Sequence, residues 1–454
     1  MGRAGQFIIN FWYWKNGNSM RRLNLFLYEW KHFIRSPFKI VAILIFTLAG
    51  VYGLNKGSEL YFTQTSEIDK IEEVVAEDRG KIVDEHYKKG ILSNEERPWI
   101  DYSVPYWALR SASIYHFKAP SASMVYSIGQ SEQFGFYKQI HFWASPYDAD
   151  LAEEIANPER LQTGTLDFSF TLLFLMPLVL LILLYNIKSA ESEQGILPLI
   201  EVQYPSKYSW LLSRMSFYVL LLFLIVLALL VYGAFLTGVL EENAYVLGQM
   251  LFYASVNLLF WSVLFFLVLS KSDSVLGTTL RMSAIYLVFA FIIPASVHQV
   301  LSIRYPVNMM TDLIDVREQR DALYNEADTT IQAKLDVLYP GLVDTKVYLE
   351  GTDVDYARGR STLALVNSLR KSSIEKVEQE NEAKNQFIKA TFWFNPVSFF
   401  QNKFNSIAQT HYDDYQQYRD NIQLKVDDHL KMMVLDTWNA VKVDEGRFTE
   451  YTQL

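Results

Sequence analysis

Two apolar runs follow each other almost without interruption: "MSFYVLLLFLIVLALLVYGAFLTGVL" at residues 215–240 and "NAYVLGQMLFYASVNLLFWSVLFFLVLS" at residues 243–270. Neither run contains Asp, Glu, Lys, Arg or His. A helix needs roughly 20 apolar residues to cross about 30 Å of hydrocarbon, so each run is long enough to span a membrane. Only Glu241 and Glu242 separate the two runs, which predicts two spans joined by a short polar turn.

The composition of the whole chain favours the same class of protein. Of its 454 residues, 50% are hydrophobic and 15% aromatic, whereas only 20% are charged. This balance is unusual for a soluble protein and predicts a membrane protein with additional polar parts. A net charge of −9 excludes a broad basic surface for nucleic acid. The absence of Cys excludes disulfides, thiolate metal sites and Cys catalysis.

Three further apolar runs complete a predicted set of five spans, numbered here in chain order. Spans 1 to 5 are expected at residues 37–54, 168–187, 215–240, 243–270 and 282–303. The first run reaches span length only if Lys39 snorkels to the membrane surface. Pro177 lies inside span 2 and Pro294 inside span 5, and we predict an ordinary proline kink at each.

The positions of Lys and Arg in the short polar segments predict the orientation of the spans. Bases precede span 1, lie between spans 2 and 3 and lie between spans 4 and 5, whereas the link between spans 3 and 4 has none. The N-terminus is therefore expected in the cytoplasm, together with the loops at 188–214 and 271–281. Residues 55–167 and 304–454 are expected outside. The bases are Arg21, Arg22, Lys31, Arg35 and Lys39, then Lys188, Lys207 and Arg214, then Lys271 and Arg281.

The segment before span 1 has the pattern of an amphipathic helix. In "LNLFLYEWKHFIRSP", apolar residues such as Phe26, Trp30 and Phe33 recur at helical spacing, and basic residues such as Arg35 take other faces. We predict that residues 20–36 form a helix along the inner leaflet of the bilayer. Residues 1–19 lack this pattern, and the sequence leaves open whether they are disordered or an extended start before Met20.

The two outer segments differ in character. Residues 55–167 begin with a helical run, "EIDKIEEVVAEDRGKIVDEHYKKG", and continue from Trp99 to Trp143 as an aromatic, Pro- and Ser-rich stretch that predicts irregular loops with short helices. That stretch either packs against the rest of the protein or forms an apolar ligand surface. Residues 304–454 contain four runs of helical periodicity. The expected fold is therefore mainly α: a polytopic helical membrane protein with two extracytoplasmic domains, the second all-α.

No stretch of the sequence has the pattern of a catalytic or cofactor site. The chain lacks the phosphate-binding loop and the nucleophile turn, and its seven His residues show no zinc-ligand spacing. We therefore expect no enzyme activity, no cofactor and no metal in this chain. The span centres also lack ionisable residues, which ion-driven carriers usually keep there. If the protein moves a cargo, its energy is expected to come from a partner.

The loop between spans 2 and 3 is short and patterned. Ser189 is expected to cap a short helix, with Glu191 and Glu193 in its first turn, where the helix dipole favours acids. An apolar cluster then precedes Pro205, which ends the loop: Ile196, Leu197, Leu199 and Ile200. The loop is either a simple connector or a docking surface for a partner that moves the helices.

Three stretches give this chain a resemblance to a known family. They are "ESEQGILPLIEVQYPSKYSWLLSR" (191–214), "NPERLQTGTLDFSFTLLFLMPLVLLILLYNIKSAESEQG" (157–195) and "FNPVSFFQNKFNSIAQTHYDDYQQYRDNIQ" (394–423). Together they resemble ABC-2-type transporter permeases of the branch with a large inserted outer domain, the DUF3526 class. The resemblance extends from Met20 to the end of the sequence.

The resemblance implies that Glu191 to Ile200 docks on a separate ATP-binding cassette subunit, which would carry the ATP and Mg. Glu191, Glu193 and Gly195 match the family motif, and Ile196 replaces a frequent Thr. Residues 20–36 would be the family's connecting helix. The implied partners are this ATPase and a second permease copy or a homologous permease, in a bacterial inner membrane.

One departure leaves the function open. Such permeases have a sixth span after the second outer domain, and no apolar run follows Trp438 here. The sequence does not decide between a lost span and a natural five-span variant. Besides transport, two alternatives stay open: an ATPase-driven complex that transmits motion to a periplasmic partner, and a membrane-anchored sensor without an ATPase.

Overall fold

Five helices in the described part of the chain are long and apolar enough to cross a membrane, which confirms the predicted number of spans. The fold is that of a computed structural model, which describes residues 25–92, 97–129, 131, 134–140, 166–204, 206–305, 318 and 320–453. The spans occupy Pro37–Tyr87, Phe168–Glu193, Lys207–Thr237, Val239–Lys271 and Val275–Arg304. The predicted start at residues 1–19 and Pro205 lie outside the described residues, as does the Asn157–Arg160 part of the family motif.

Short elements accompany the spans, and nearly all are helical. A helix at residues 25–34 precedes span 1, and Leu197–Gln203 is a helix in the loop between spans 2 and 3. Further helices in the described part of the chain include Pro105–Ser111, Ala122–Val125 (3-10), Asp328–Leu338, Pro340–Asp344 (3-10), Lys346–Glu350, Val354–Thr391, Pro396–Ile407, Tyr412–Trp438 and Glu445–Gln453. The prediction of a mainly α fold is confirmed.

Span 2 lies at the centre of the bundle and span 5 at its edge. In the apolar window of span 2, 67% of the residues are buried, against 11% for span 5. Side chains from all five spans form one apolar cluster, which includes Phe46, Leu180, Leu222, Trp261 and Met282. The bundle has two ends: the loop side, which carries residues 188–204 and 206, and the body side at the opposite end.

Span 1 continues far beyond the bundle. Its α-helix runs without a break from Pro37 to Ile82, and a π-helical turn follows at Val83–Tyr87. Its 46 α-helical residues, at about 1.5 Å each, extend over about 69 Å, more than twice the thickness of a hydrocarbon core. The sequence pattern placed the end of this span at Leu54 and a separate helix beyond it, whereas the structure joins the two.

Two glycines of span 1 allow its close approach to neighbouring backbone. A Cβ atom at Gly53 would lie 2.6 Å from the backbone nitrogen of Phe168, and one at Gly57 would lie 2.6 Å from the carbonyl oxygen of Val125. Asp167 caps the start of span 2 at this place, because its carboxylate accepts hydrogen bonds from the Phe170 and Ile128 backbone N–H groups. The glycines therefore fix the position of span 1 against span 2 and the 3-10 helix.

The two outer segments share one hydrophobic core on the body side. Leu109 and Ile114 of the first segment are buried in the same cluster as Leu430 and Trp438 of the second. The Trp438 indole N–H donates to the Ser361 hydroxyl at 2.9 Å within this core. We call these packed residues, 97–140 and 320–453 as far as they are described, the helical body.

The aromatic stretch of the first segment packs partly against the bundle. Tyr126 is buried, and its hydroxyl donates to the Leu230 carbonyl oxygen of span 3 at 2.8 Å. The structure also contains two short antiparallel strands that the sequence pattern did not indicate, Tyr115–Phe117 and Tyr137–Gln139. Each strand has only three residues, too few for an alternating pattern to be recognised.

The two span prolines, at which we predicted ordinary kinks, each follow a π-helical turn. Thr171–Leu175 precedes Pro177, and Val288–Ile292 precedes Pro294. A proline has no N–H to donate to the carbonyl one turn earlier. In each case the residue before the proline donates to a carbonyl five residues back, which absorbs the irregularity inside the helix.

A histidine caps the long helix Tyr412–Trp438. His411 Nδ1 accepts the Asp413 backbone N–H at 3.1 Å, and the Asp414 carboxylate accepts the His411 backbone N–H at 2.9 Å. Burial is the main cause that lowers the pKa of His411 below its ordinary value of 6.5. Lys389 and Lys403 lower this pKa as well, whereas Asp413 and Asp414 oppose the shift. The cap needs an unprotonated Nδ1, so it forms only with the neutral ring.

We expect the start of this helix to lose stability as the pH falls. Because the pKa of His411 is lowered on folding, the unfolded state binds more protons below about pH 6.5, and stability falls from there through the folded pKa. Loss of the cap should cost about 1 kcal/mol. Hydrogen–deuterium exchange of residues 412–418 at about pH 7.5 and about pH 5 measures this effect.

The variant His411→Asn is the control, because Asn caps helices and does not titrate in this range. At each pH it is compared with the wild type, which removes the intrinsic pH dependence of exchange. The wild type should exchange faster than the variant only at the lower pH. An equal difference at both pH values would contradict a protonation-dependent cap.

Candidate functional site

The loop between spans 2 and 3 consists of two short helices joined by a glycine turn. Span 2 ends with the helix Ser189–Glu193, and Gly195 has a φ of +71°. The Ile196 N–H donates to the Glu191 carbonyl oxygen and the Gly195 N–H to that of Ser192. These two bonds form a Schellman motif, in which a positive φ strongly favours glycine. The turn then directs the chain into the helix Leu197–Gln203.

The prediction that Ser189 caps the first of these helices is wrong. Ser189 is the first residue of the helix and is buried. Its hydroxyl lies 3.2 Å from the Tyr185 carbonyl oxygen and 2.7 Å from the Thr278 hydroxyl of span 5. Ser189 therefore connects spans 2 and 5 instead of starting the loop.

The apolar residues of the loop divide between two faces. Leu197 and Ile200 pack against the bundle core. Ile196 and Leu199 point outward with 40% and 65% of their surface exposed, and Val202 is 87% exposed. The exposed residues are spaced by three, so they form one apolar ridge on the outer face of the loop. The sequence analysis missed Val202, although its spacing from Leu199 is the signal that indicates a shared helix face.

A buried ion-pair cluster lies beneath this ridge. Arg214 of span 3 donates through Nε to Glu29 of the N-terminal helix and through a terminal nitrogen to Glu191 at the end of span 2. The side chains of Arg214 and Glu29 are 4% and 0% exposed. Glu191 is only 17% exposed and thus faces inward, not toward a partner as the resemblance implied.

Lys39 and Tyr218 extend the cluster to span 1. The Tyr218 hydroxyl donates to Glu29 at 2.9 Å, and the Lys39 ammonium donates to the Tyr218 hydroxyl at 3.1 Å and to the Leu183 carbonyl oxygen at 2.8 Å. The expectation that Lys39 snorkels outward is wrong, because it is 1% exposed and points into the bundle. Two carboxylates and two cations meet here, so the cluster is neutral as a whole.

Glu29 is the residue that the sequence analysis missed. It is the only acidic residue in the basic amphipathic helix at residues 25–34. A single acid among basic residues was the feature of the sequence that could have indicated its role. The predicted connecting-helix residues lie around it. Phe26 packs edge-on against Phe217 at 5.7 Å between ring centroids, and Phe33 is buried. Trp30 and Arg35 are exposed on the outer side of the helix.

A second set of contacts joins the loop to the start of span 5. The Lys188 ammonium donates to the Ser272 carbonyl oxygen and to the Asp273 carboxylate, both at 3.0 Å. Glu193 accepts the Val275 backbone N–H at 2.7 Å. The loop therefore contacts span 3, the start of span 5 and the link between spans 4 and 5. The N-terminal helix joins the same cluster through Arg214, and span 1 joins it through Tyr218.

Some buried polar atoms at this site have no partner among the described residues. They are Glu191 Oε2, Asn186 Oδ1 and His32 Nδ1. Burial and the Lys39 charge lower the pKa of His32, which disfavours its cationic form. Buried polar groups without partners cost free energy, so these three atoms destabilise the loop side. In the part of the chain that the structure describes, no group of three or more His, Asp or Glu residues is placed to hold a metal.

Comparisons with known proteins give no match: no family model, no curated protein and no solved structure corresponds to this chain.

We expect Glu29 and Arg214 to stabilise the fold strongly and as a pair. Replacing either by Ala leaves the other charge buried and unpaired, which should cost about 3–5 kcal/mol. The double variant should cost much less than the sum of the two, because it leaves no unpaired charge at these two positions. Chemical denaturation of the purified protein in one lipid mimetic measures all three values.

Lys31→Ala is the matched control, because Lys31 lies on the exposed side of the same helix. It should change the free energy of unfolding by no more than about 0.5 kcal/mol. Additive effects of the Glu29 and Arg214 substitutions would show that the two charges do not interact in the folded protein.

Proposed function

We propose that this chain is a transmembrane permease subunit of an ABC-2-type exporter and that a separate ATP-binding cassette ATPase energises it. The ATPase docks on the loop between spans 2 and 3. One observation carries the proposal: the loop has an exposed apolar ridge at Ile196, Leu199 and Val202 on its outer face, and a buried ionic cluster that joins it to the spans on its inner face. A loop that only connects two spans needs neither the exposed ridge nor the buried cluster.

The ridge has the chemistry of a protein docking site. Three exposed aliphatic side chains at helical spacing fit an apolar cleft, and the acidic end of span 2 provides a polar rim at Glu193. In this proposal Glu191 and Gly195 hold the loop in shape and connect it to the spans, while Ile196, Leu199 and Val202 contact the ATPase. ATP and Mg belong to the ATPase.

The inner contacts determine how movement of the loop reaches the spans. A displacement of the loop acts on span 3 through the Glu191–Arg214 pair and on span 5 through the bond from the Val275 N–H to Glu193. Through Arg214 and Glu29 it also acts on the N-terminal helix. Buried ion pairs tolerate little stretching, because separation leaves charges in a low dielectric. ATP-driven movement of the loop therefore moves these helices together.

The proposal places the protein in a bacterial inner membrane, with the loop side in the cytoplasm and the helical body in the periplasm. A second copy of this chain, or a homologous permease, completes the transport path. Span 5 is the available contact for it, because this span is the least buried of the five.

We expect Val202→Asp to detach the ATPase without disturbing the fold, because the substitution puts a charge into an apolar contact on an exposed position. Purification from the native membrane should recover at least tenfold less of a protein with a nucleotide-binding loop, equivalent to about 1.4 kcal/mol of binding free energy. Leu199→Asp should act in the same way.

Val337→Asp is the matched control, since Val337 is 82% exposed on the helical body. It should leave recovery of the ATPase unchanged. If the wild-type protein purified without any nucleotide-binding partner, the docking proposal would fail, and a membrane-anchored sensor would be favoured instead.

A second candidate function is transmission of movement from the ATPase to a periplasmic partner without transport of a cargo. The observation that favours it is the unbroken helix of span 1, which extends from the ionic cluster at Lys39 to the core of the helical body near Ile82. A continuous helix of this length can carry a displacement from one side of the bilayer to the other.

We expect Asp69→Pro to interrupt this connection, because proline in a helix interior costs about 3 kcal/mol and bends the helix. Asp69 is exposed, so Asp69→Ala serves as the control. The chain has no native Cys, so spin labels attached to cysteines at Leu276 and Val337 report the loop-side-to-body distance. An ATP-dependent change of distance that occurs equally in both variants would contradict transmission through span 1.

A further inference from the structure

The helical body contains a groove between two helices whose facing sides are polar. Val354–Thr391 and Pro396–Ile407 form a helical hairpin, and His411 and Tyr412 line the same groove. The groove has a volume of about 370 Å³, within the range of small-ligand sites. The first helix contributes Asn381, Lys384, Asn385 and Ile388, and the second contributes Ser398, Gln401, Asn402 and Asn405.

Both sets of residues have the spacing i, i+3, i+4, i+7, which places each set along one stripe of its helix. Two helices that pack closely normally face each other with apolar stripes, because burying them stabilises the pair, whereas these two helices do not pack closely on each other. Here seven of the eight facing residues are polar, and five of these carry a carboxamide. The second helix is apolar on another side, where Val397, Phe400 and Phe404 are buried in the bundle core. Packing between the two helices therefore does not explain the polar stripes.

In several of these carboxamides, either the NH₂ group or the carbonyl oxygen forms a hydrogen bond that holds the side chain in place. The other polar group of the carboxamide stays free. The Asn385 NH₂ donates to Asp413 at 2.8 Å, and the Asn405 carbonyl oxygen accepts the Ser127 hydroxyl at 2.5 Å. The Asn402 amide is bonded to the His411 ring. Among the described residues, the side chains of Asn381 and Gln401 make no hydrogen bond. The groove thus presents both donors and acceptors in fixed positions.

The charge of the groove is small and positive. Lys384 is the one basic residue among those that line it, and it forms no ion pair within the described part of the chain. Burial lowers the pKa of Lys384, and the charge of Glu380 opposes this shift without reversing it. A ligand with one acidic group would supply the missing partner.

The chemistry of the groove excludes several classes of ligand. A peptide that binds by strand addition needs a sheet edge, and a helical peptide needs an apolar groove, whereas both walls here are polar helices. Nucleic acid requires several cations, and the groove has one. A ligand with neighbouring hydroxyl groups, in contrast, fits this lining. Each hydroxyl group donates and accepts a hydrogen bond, and each carboxamide offers a donor and an acceptor side by side. The Tyr412 ring adds a flat apolar surface at one end.

We propose that this carboxamide groove binds a saccharide, with Lys384 placed to pair with an acidic substituent such as a uronate carboxylate. The inference does not depend on the proposed transport function, because it concerns only residues of the helical body. The groove lies directly against the body side of the bundle through Phe400 and Phe404. A bound saccharide would therefore lie next to the ends of the spans.

The test is direct binding to the full-length protein in lipid nanodiscs, without maltoside detergents, whose headgroup is itself a disaccharide. The probes are maltose, chitobiose, digalacturonate and, as the alternative class, tetra-alanine, each measured by saturation-transfer NMR and calorimetry. We expect at least one disaccharide to bind and digalacturonate to bind most tightly. The double variant Asn381→Ala/Gln401→Ala should weaken binding at least tenfold, and Lys384→Met should abolish the preference for the uronate.

Gln386→Ala is the matched control, because Gln386 is exposed on the same helix and does not line the groove. It should bind like the wild type. Ser398→Phe fills the groove without removing a carboxamide and should also prevent binding, while thermal unfolding verifies that each variant is folded. Absence of binding by every disaccharide, binding of tetra-alanine alone, or unchanged disaccharide binding in the double variant would each overturn the proposal.

Discussion

The ion pair between Arg214 and Glu29 is the interaction on which the loop side of this structure depends. Both groups are almost completely removed from water, and neither would be stable there without the other. Arg214 also binds Glu191, and Glu29 also accepts the Tyr218 hydroxyl, so the pair joins the N-terminal helix to the ends of spans 2 and 3. The bundle thus holds an amphipathic helix by ionic contacts that hydrophobic packing alone would not specify.

On the body side, the helices are held together by close packing of backbone against backbone. Gly53 and Gly57 let span 1 lie against the start of span 2 and the 3-10 helix, and Asp167 uses its carboxylate to hold both. The continuation of span 1 then enters the core of the helical body near Ile82. Ionic contacts at one end of this helix and apolar contacts at its other end connect the two sides of the protein through one rigid element.

The loop between spans 2 and 3 combines residues of two kinds. Its family-like motif, Glu191, Glu193 and Gly195, serves the inner contacts and the turn, whereas the exposed ridge consists of aliphatic residues that the motif does not emphasise. The residues that carry the resemblance are therefore not the residues that form the exposed ridge. Val202 is the clearest case, since its spacing from Leu199 indicates a shared helix face but only the structure shows that this face is exposed.

The sequence by itself determined the five spans and the mainly helical class, because uninterrupted apolar runs and helical periodicity depend on local order in the chain. It did not determine the inward direction of Lys39, the role of Glu29 or the joining of span 1 to the helix beyond Leu54. The direction of Lys39 and the role of Glu29 depend on partners more than a hundred residues away, Leu183 and Arg214. The polar stripes of the carboxamide groove were likewise visible only as solvated helix faces until the tertiary structure placed them opposite each other.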